Sequence, residues 1–162
     1  MTQSEEETVS INVMDALSDS IDSYVALAKD HIDEYWREWR AMNLRLANLE
    51  HENGFLRGSI VPRLYFQSGK YRIEWFRYEP NRYGKRLKTW GNKIKRRDKR
   101  PYTIDQFERK AKEWELDLIM TTENQLHPLR IYIDAVHEAK VKIQRQLRAV
   151  ENRKNIGDDY DH

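Results

Sequence analysis

Ser59-Ile60-Val61-Pro62-Arg63-Leu64-Tyr65-Phe66 and Tyr71-Arg72-Ile73-Glu74-Trp75-Phe76-Arg77-Tyr78 are two stretches rich in aromatic and β-branched residues, separated by Gln67-Ser68-Gly69-Lys70. That pattern predicts a β-hairpin whose turn uses Gly69 for positive φ. In the second strand Tyr71, Ile73 and Trp75 share one face, and Arg72, Glu74, Phe76 and Tyr78 the other. Pro62 has no N–H to give a ladder and belongs at an edge or a strand start. Beyond Pro80, Arg86–Thr89 reads as either a third short strand or an ordered loop, between Tyr83-Gly84 and Trp90-Gly91-Asn92.

Outward from the hairpin the period changes. Upstream, Met14, Leu17, Ile21, Tyr24/Val25, Ala28, Ile32, Trp36, Trp39, Met42, Leu46 and Leu49 recur in steps of three and four, which is the period of a helix and close to a heptad seam. The expected helix covers 13–51, with Ser10 or Asn12 as its cap and Asn53-Gly54 as its stop. Downstream, Thr103-Ile104-Asp105-Gln106 matches a capping box, with Tyr102 and Phe107 placed as a hydrophobic staple. A helix over 104–150 follows from Phe107, Ala111, Trp114, Leu118, Leu126, Leu129, Ile133, Val136, Ile143, Leu147 and Val150. Pro128 is expected to kink or break it near His127. The fold class is therefore α+β and mostly helical. Two long antiparallel coiled-coil-like helices carry a β-hairpin and basic-loop lobe (55–102) at their tip. Residues 1–12 form an acidic tail, 13–154 one elongated domain, and 155–162 a disordered acidic tail.

The chain has 162 residues and no cysteine, which removes disulfide frameworks, zinc ribbons, iron–sulfur sites and thiol nucleophiles. No apolar run approaches the ~20 residues of a membrane span, and the acidic N-terminus has no signal-peptide core; the expected location is the cytoplasm. The five histidines show no metal-ligand spacing. Neither a phosphate-binding glycine loop nor a serine-nucleophile motif is present. No cofactor and no enzymatic activity are expected.

Charge carries the functional signal. The formal net charge is only +2, yet residues 1–34 hold nine acids and one base, whereas 62–100 hold fourteen bases and three acids. The candidate nucleic-acid-binding residues are Lys70, Arg72, Arg77, Arg82, Lys85, Arg86, Lys88, Trp90, Lys93, Lys95, Arg96, Arg97, Lys99 and Arg100, interleaved with Tyr83 and Tyr102. Lys and Arg neutralise phosphates with release of counterions, aromatic rings stack on bases, and a two-stranded ribbon fits the major groove. Trp36, Trp39, Trp75 and Trp114 fall on periodic apolar positions and are assigned to the core. Trp90 either anchors the loop or faces a nucleic acid. The partner implied is double-stranded DNA. The alternatives are RNA, or an acidic protein docked on the loop of an interaction adaptor. The apolar seams serve an intramolecular pair or a homodimer equally well.

The run Tyr71-Arg72-Ile73-Glu74-Trp75-Phe76-Arg77, the basic loop, Tyr102-Thr103-Ile104 and Ala111-Lys112-Glu113-Trp114-Glu115-Leu116 together resemble the MobI(A/C)-type conjugative transfer proteins over about residues 55–150. The resemblance implies an auxiliary mobilisation factor. Such a factor acts at an origin of transfer, beside a separate relaxase that supplies the nicking chemistry. It carries over no catalytic residue.

Overall fold

The computed structural model describes residues 3–50, 54, 56–78 and 91–158. Its elements are α1 (Glu5–Ala47), β1 (Ile60–Gln67), β2 (Lys70–Arg77), β3 (Asn92–Lys93), a short helix α2 (Ile104–Phe107) and α3 (Glu113–Asp158). The protein is thus α+β, mostly helical, with one three-stranded antiparallel sheet in the order β1-β2-β3. Two compact units are formed, one by Met1–Ala26 with Ile131–His162 and one by Leu27–Arg130.

In the first unit the opening half of α1 and the closing half of α3 run antiparallel. Tyr24 stacks on Tyr132 with ring centroids 5.4 Å apart, and Lys154 Nζ lies 3.3 Å from the Glu7 carboxylate. Within the stretch 1–12 expected as a tail, residues 5–12 are helical. The helix starts at Glu5, because the Ser4 hydroxyl accepts the Glu7 N–H at 3.2 Å and three glutamates occupy the positive end of the helix dipole. The far end departs from expectation in the same way. Helix α3 continues through Asn155–Asp158, whereas 159–162 lie outside the described residues.

The second unit holds the sheet. β1 and β2 pair in full register from Ile60↔Arg77 to Gln67↔Lys70 around a two-residue turn. Ser68 and Gly69 both have positive φ, 53° and 75°, which matches the right-handed twist of the strands. Tyr35, Trp75, Tyr102 and Phe107 form the aromatic centre of the core, with Trp75 edge-on to Tyr35 at 5.1 Å and to Phe107 at 5.6 Å. Tyr35 donates its hydroxyl to the Ile60 carbonyl at 2.5 Å, and Trp36 its indole N–H to the Pro62 carbonyl at 3.3 Å. Trp36, Trp39, Trp75 and Trp114 each give their N–H to a named acceptor.

Two buried carboxylates join the elements. Glu115 accepts the backbone N–H groups of Ser59 (2.9 Å), Ile60 (3.0 Å) and Lys112 (2.9 Å), and the Trp39 indole N–H at 3.2 Å. Gly58 lets the chain pass this close, since a Cβ there would sit 2.5 Å from the Glu115 carboxylate. Glu123 receives Arg130 in two parallel bonds of 2.8 and 3.1 Å, the Trp75 indole N–H at 2.8 Å and the Tyr102 backbone N–H at 3.1 Å. Arg130 also donates to the Ile73 carbonyl at 3.0 Å, so α3, β2 and the approach to α2 share one buried network.

These bonds explain why the expected helix 104–150 is two helices. Gln106 Oε1 accepts the Thr103 N–H at 2.8 Å, so the capping box does start a helix, but buried Phe107 ends it. A new N-terminus forms at Glu113, where Glu115 reaches back to Lys112 N–H. Likewise α1 stops at Ala47 and not at 51. Pro128 does not break α3. The carbonyl it deprives of a helical donor is that of Asn124, and both residues lie on the exposed side of the helix, where the loss of one bond is least costly.

Replacing Arg130 by Met leaves Glu123 buried without its bidentate cation. Loss of one partner of a buried pair costs about 3–5 kcal/mol. Urea unfolding should therefore show a large drop in midpoint, which Arg130→Lys, lacking the planar fork, does not fully restore. Alkali acts on the same core. Burial, and secondarily the Glu115 charge, push the Tyr35 phenol well above its usual value, and burial first among several causes raises Tyr102 to about 12. Unfolded tyrosines release their protons near pH ~10. The stability held by these phenols is complete below that pH and is lost as pH rises from it through the folded values. The urea midpoint should fall over that window, and less steeply in Tyr35→Phe.

Candidate nucleic-acid interface

Two surfaces of the second unit gather cations. The first is the outer sheet face. The pairings Arg63↔Glu74, Tyr65↔Arg72 and Phe76↔Lys93 set Arg63, Tyr65, Arg72, Glu74, Phe76 and Lys93 on that face. The Arg63 guanidinium lies 5.0 Å above the Phe76 ring, and the Tyr65 ring meets Phe76 edge-on at 6.1 Å. The single acid among them, Glu74, takes the Tyr65 hydroxyl at 2.5 Å and has Lys93 Nζ at 3.4 Å. Burial first, and then the Glu74 bond, raise the Tyr65 phenol to about 12, so at neutral pH it remains a neutral donor and Glu74 the acceptor.

The second surface is the turn after β3. The Ile94 N–H bonds to the Trp75 carbonyl at 2.8 Å, and the Ile94 carbonyl accepts the Tyr102 hydroxyl at 2.9 Å. Gln106 donates to the Lys95 carbonyl at 2.9 Å, and Arg97 pairs with Asp105 at 2.7 Å. The chain reverses at Arg97–Arg100, where the Arg100 N–H reaches the Arg97 carbonyl at 3.1 Å. Asp98 adopts φ 50° there, a left-handed conformation that aspartate tolerates better than most residues. The result is a rigid backbone with Lys93, Lys95, Arg97, Lys99 and Arg100 exposed. Beside it an open cleft of about 490 Å³ is lined by Lys95, Arg96, Arg97 and Lys110, with Gln106 and Asp98 between them.

The sequence-derived candidates are distributed unevenly over these surfaces. Lys93, Lys95, Arg96, Arg97, Lys99 and Arg100 come together on and around the turn. Arg72 joins the outer sheet face, but Arg77 follows Ile73 and Trp75 onto the opposite one, so the two strand arginines do not act together. Lys70 closes the hairpin turn. Arg82, Lys85, Arg86, Lys88 and Trp90, with the expected strand Arg86–Thr89 and Tyr83, lie outside the described residues. Arg63 and Lys110 were not among the candidates. Arg63 was legible from period two once the hairpin register was drawn. Lys110 was not, because the turn at 108–112 brings it to the cleft. Among the described residues no group of His, Asp or Glu is placed to hold a metal, and no helix is long and apolar enough to cross a membrane.

A family model described as MobI protein matches residues 24–144. The chain belongs to the MobI family. Membership makes it an accessory protein of conjugative mobilisation. The match takes in the whole Leu27–Arg130 unit and reaches back into α1, beyond the stretch from about residue 55 that carries the resemblance. No curated protein and no solved structure matches the chain.

One imidazole borders the cationic surface. His127 Nδ1 is buried and has no hydrogen-bond partner among the described residues. Burial above all, with Arg130 and Arg96 adding repulsion, holds its pKa below the usual value. The ring is therefore neutral at pH 7 and does not enlarge the cation cluster. An NMR titration should place its midpoint below the ordinary ~6.5; a midpoint at or above that value contradicts the burial seen here.

Proposed function

We propose that this MobI-family chain binds double-stranded DNA without cleaving it, acting in the cytoplasm at an origin of transfer beside a separate relaxase. The observation that carries the reading is the turn at 93–100. Five exposed cations sit there on a chain whose backbone is tied at Ile94 and Lys95 to Trp75, Tyr102 and Gln106, with the Arg97 side chain paired to Asp105. Such an array meets phosphates with little further ordering of the protein, so the cost of immobilising a flexible basic loop is reduced. The neighbouring sheet face adds Arg63 and Arg72 beside Lys93, and a ribbon of this width enters the major groove. Phosphate contacts of this kind position a protein on duplex DNA; they carry no sequence information by themselves. The strongly acidic first half of α1 repels the same polyanion, so the helical arm is the part left to engage a protein partner such as the relaxase.

Lys95, Lys99 and Arg100 are exposed, and replacing them leaves both members of the Arg97–Asp105 pair in place. Changing all three to Gln should weaken duplex binding in an anisotropy titration. The slope of log Kobs against log salt should become shallower by about 0.9 for each phosphate contact removed. A circular-dichroism spectrum matching the parent's would show that the fold survives. Unchanged affinity and slope would sink the DNA reading. Tighter binding to duplex RNA than to DNA at one salt concentration would redirect it to RNA.

A further inference from the structure

The hairpin tip is not explained by phosphate contact. Along β1 burial falls from fully covered Ile60, Val61 and Pro62 through half-buried Arg63, Leu64 and Tyr65 to exposed Phe66 and Gln67, so the distal strand ends lie away from the core. A phenylalanine there is out of place, since hairpin ends next to a Ser-Gly turn are ordinarily polar. Phe66 is nonetheless 63% exposed. It is also held in position. Its cross-strand partner is Tyr71, whose ring meets it edge-on with centroids 5.0 Å apart and planes at 65°. The two-residue turn beyond, with Ser68 and Gly69 both at positive φ, fixes the register one pair away. An edge-on brace occupies one side of the phenylalanine and leaves an aromatic surface open to solvent.

We infer that the tip, Phe66 braced by Tyr71, is a stacking platform for an unpaired nucleobase. This deepens the DNA-binding reading and rests on it. The flanking chemistry favours a nucleic acid over an apolar protein groove. Lys70 closes the turn one pair from Phe66. The reverse face of the same two-stranded ribbon carries Arg72 and Arg63, so a strand wrapping the tip meets cations behind the platform. Residues 62–100 hold fourteen bases against three acids. An unpaired base is the favoured occupant because stacking on it requires no deformation of the DNA. Wedging into an intact step would first have to unstack the pair. The tip and β3 contact opposite ends of β2. At about 3.4 Å per residue the six steps from Lys70 to Phe76 span ~20 Å. Duplex held at the basic turn would therefore present unpaired nucleotides to Phe66 some six base pairs away. The molecule is thus built to recognise a place where duplex and unpaired strand adjoin.

The test uses the full chain and two probes of one sequence: a 30-base-pair duplex and the same duplex with four central unpaired positions, one of them 2-aminopurine. Aromatic–base stacking contributes enough that the parent should bind the opened probe at least about fivefold more tightly, with quenching of the 2-aminopurine. Phe66→Ala and Phe66→Leu should both lose that preference and the quenching while keeping the duplex affinity; Phe66→Trp should keep all three. The exposed position makes these variants safe for folding, and Phe66→Leu retains the apolar bulk without the π-face. Salt-dependent duplex binding with no preference for the opened probe overturns the inference and leaves the DNA reading standing. So does a preference that survives in Phe66→Leu. Absence of salt-dependent duplex binding by the parent overturns both.

Discussion

The Glu115 carboxylate is the point through which the sheet-bearing unit is assembled. It is fully buried, and it accepts four N–H groups drawn from α1, from the chain entering β1 and from the start of its own helix. Burying a carboxylate costs several kcal/mol in desolvation. Hydrogen bonds to a charged acceptor return about 1.5–3 kcal/mol each, so a set of four offsets that cost only while every donor is in place. The arrangement dictates several local features. The chain at residue 58 has to be glycine, α3 has to begin at Glu113, and β1 has to leave the carboxylate in an extended conformation. Its counterpart, Glu123, fastens the other side of the sheet through Trp75 and Arg130.

Much of the architecture was legible because it rests on periods. The change from three-and-four spacing to alternation around Gly69 marks where helix gives way to sheet, and the α+β class follows from it. The segregation of charge was equally plain, and so was the family, from aromatics and charges around β2 and Trp114. What the pattern missed has one physical origin. Glu115 and Glu123 contribute to what looks like an ordinary acidic helix surface, and nothing within a turn of either shows that it is buried. Their decisive donors lie 56 and 48 residues away, at Ser59 and Trp75. The division of the expected 104–150 helix was invisible for the same reason, being imposed by the long-range demand on Glu115. The start at Glu5 was a local matter: Ser4 and three glutamates form a good helix N-terminus, but an acidic run resembles a solvated tail.

The candidate interface shows a similar split. The density of Lys and Arg between 93 and 100 was evident in the residues themselves, whereas the rigidity of that turn was not. Ile94 is held from both sides by residues that share one anchor, since Trp75 and Tyr102 each also donate to Glu123. Arg77 shows what charge counting leaves out. Charge counting grouped it with Arg72, yet an odd offset along a strand puts the two on opposite faces.

The anchoring of β1 to α1 bears on how the sheet meets other chains. β1 is a terminal strand of the sheet, and a terminal strand ordinarily offers a row of open donors and acceptors to any extended segment nearby. Here the Ile60 carbonyl is taken by Tyr35, the Pro62 carbonyl by Trp36, and the Ile60 N–H by Glu115, while Pro62 has no N–H at all. The half of β1 nearest the core is therefore closed to templated pairing. Recruitment of partners by strand addition, and the fibrous self-association that uses the same geometry, are both blocked along it. Whatever assembles along that half of the strand does so through side chains.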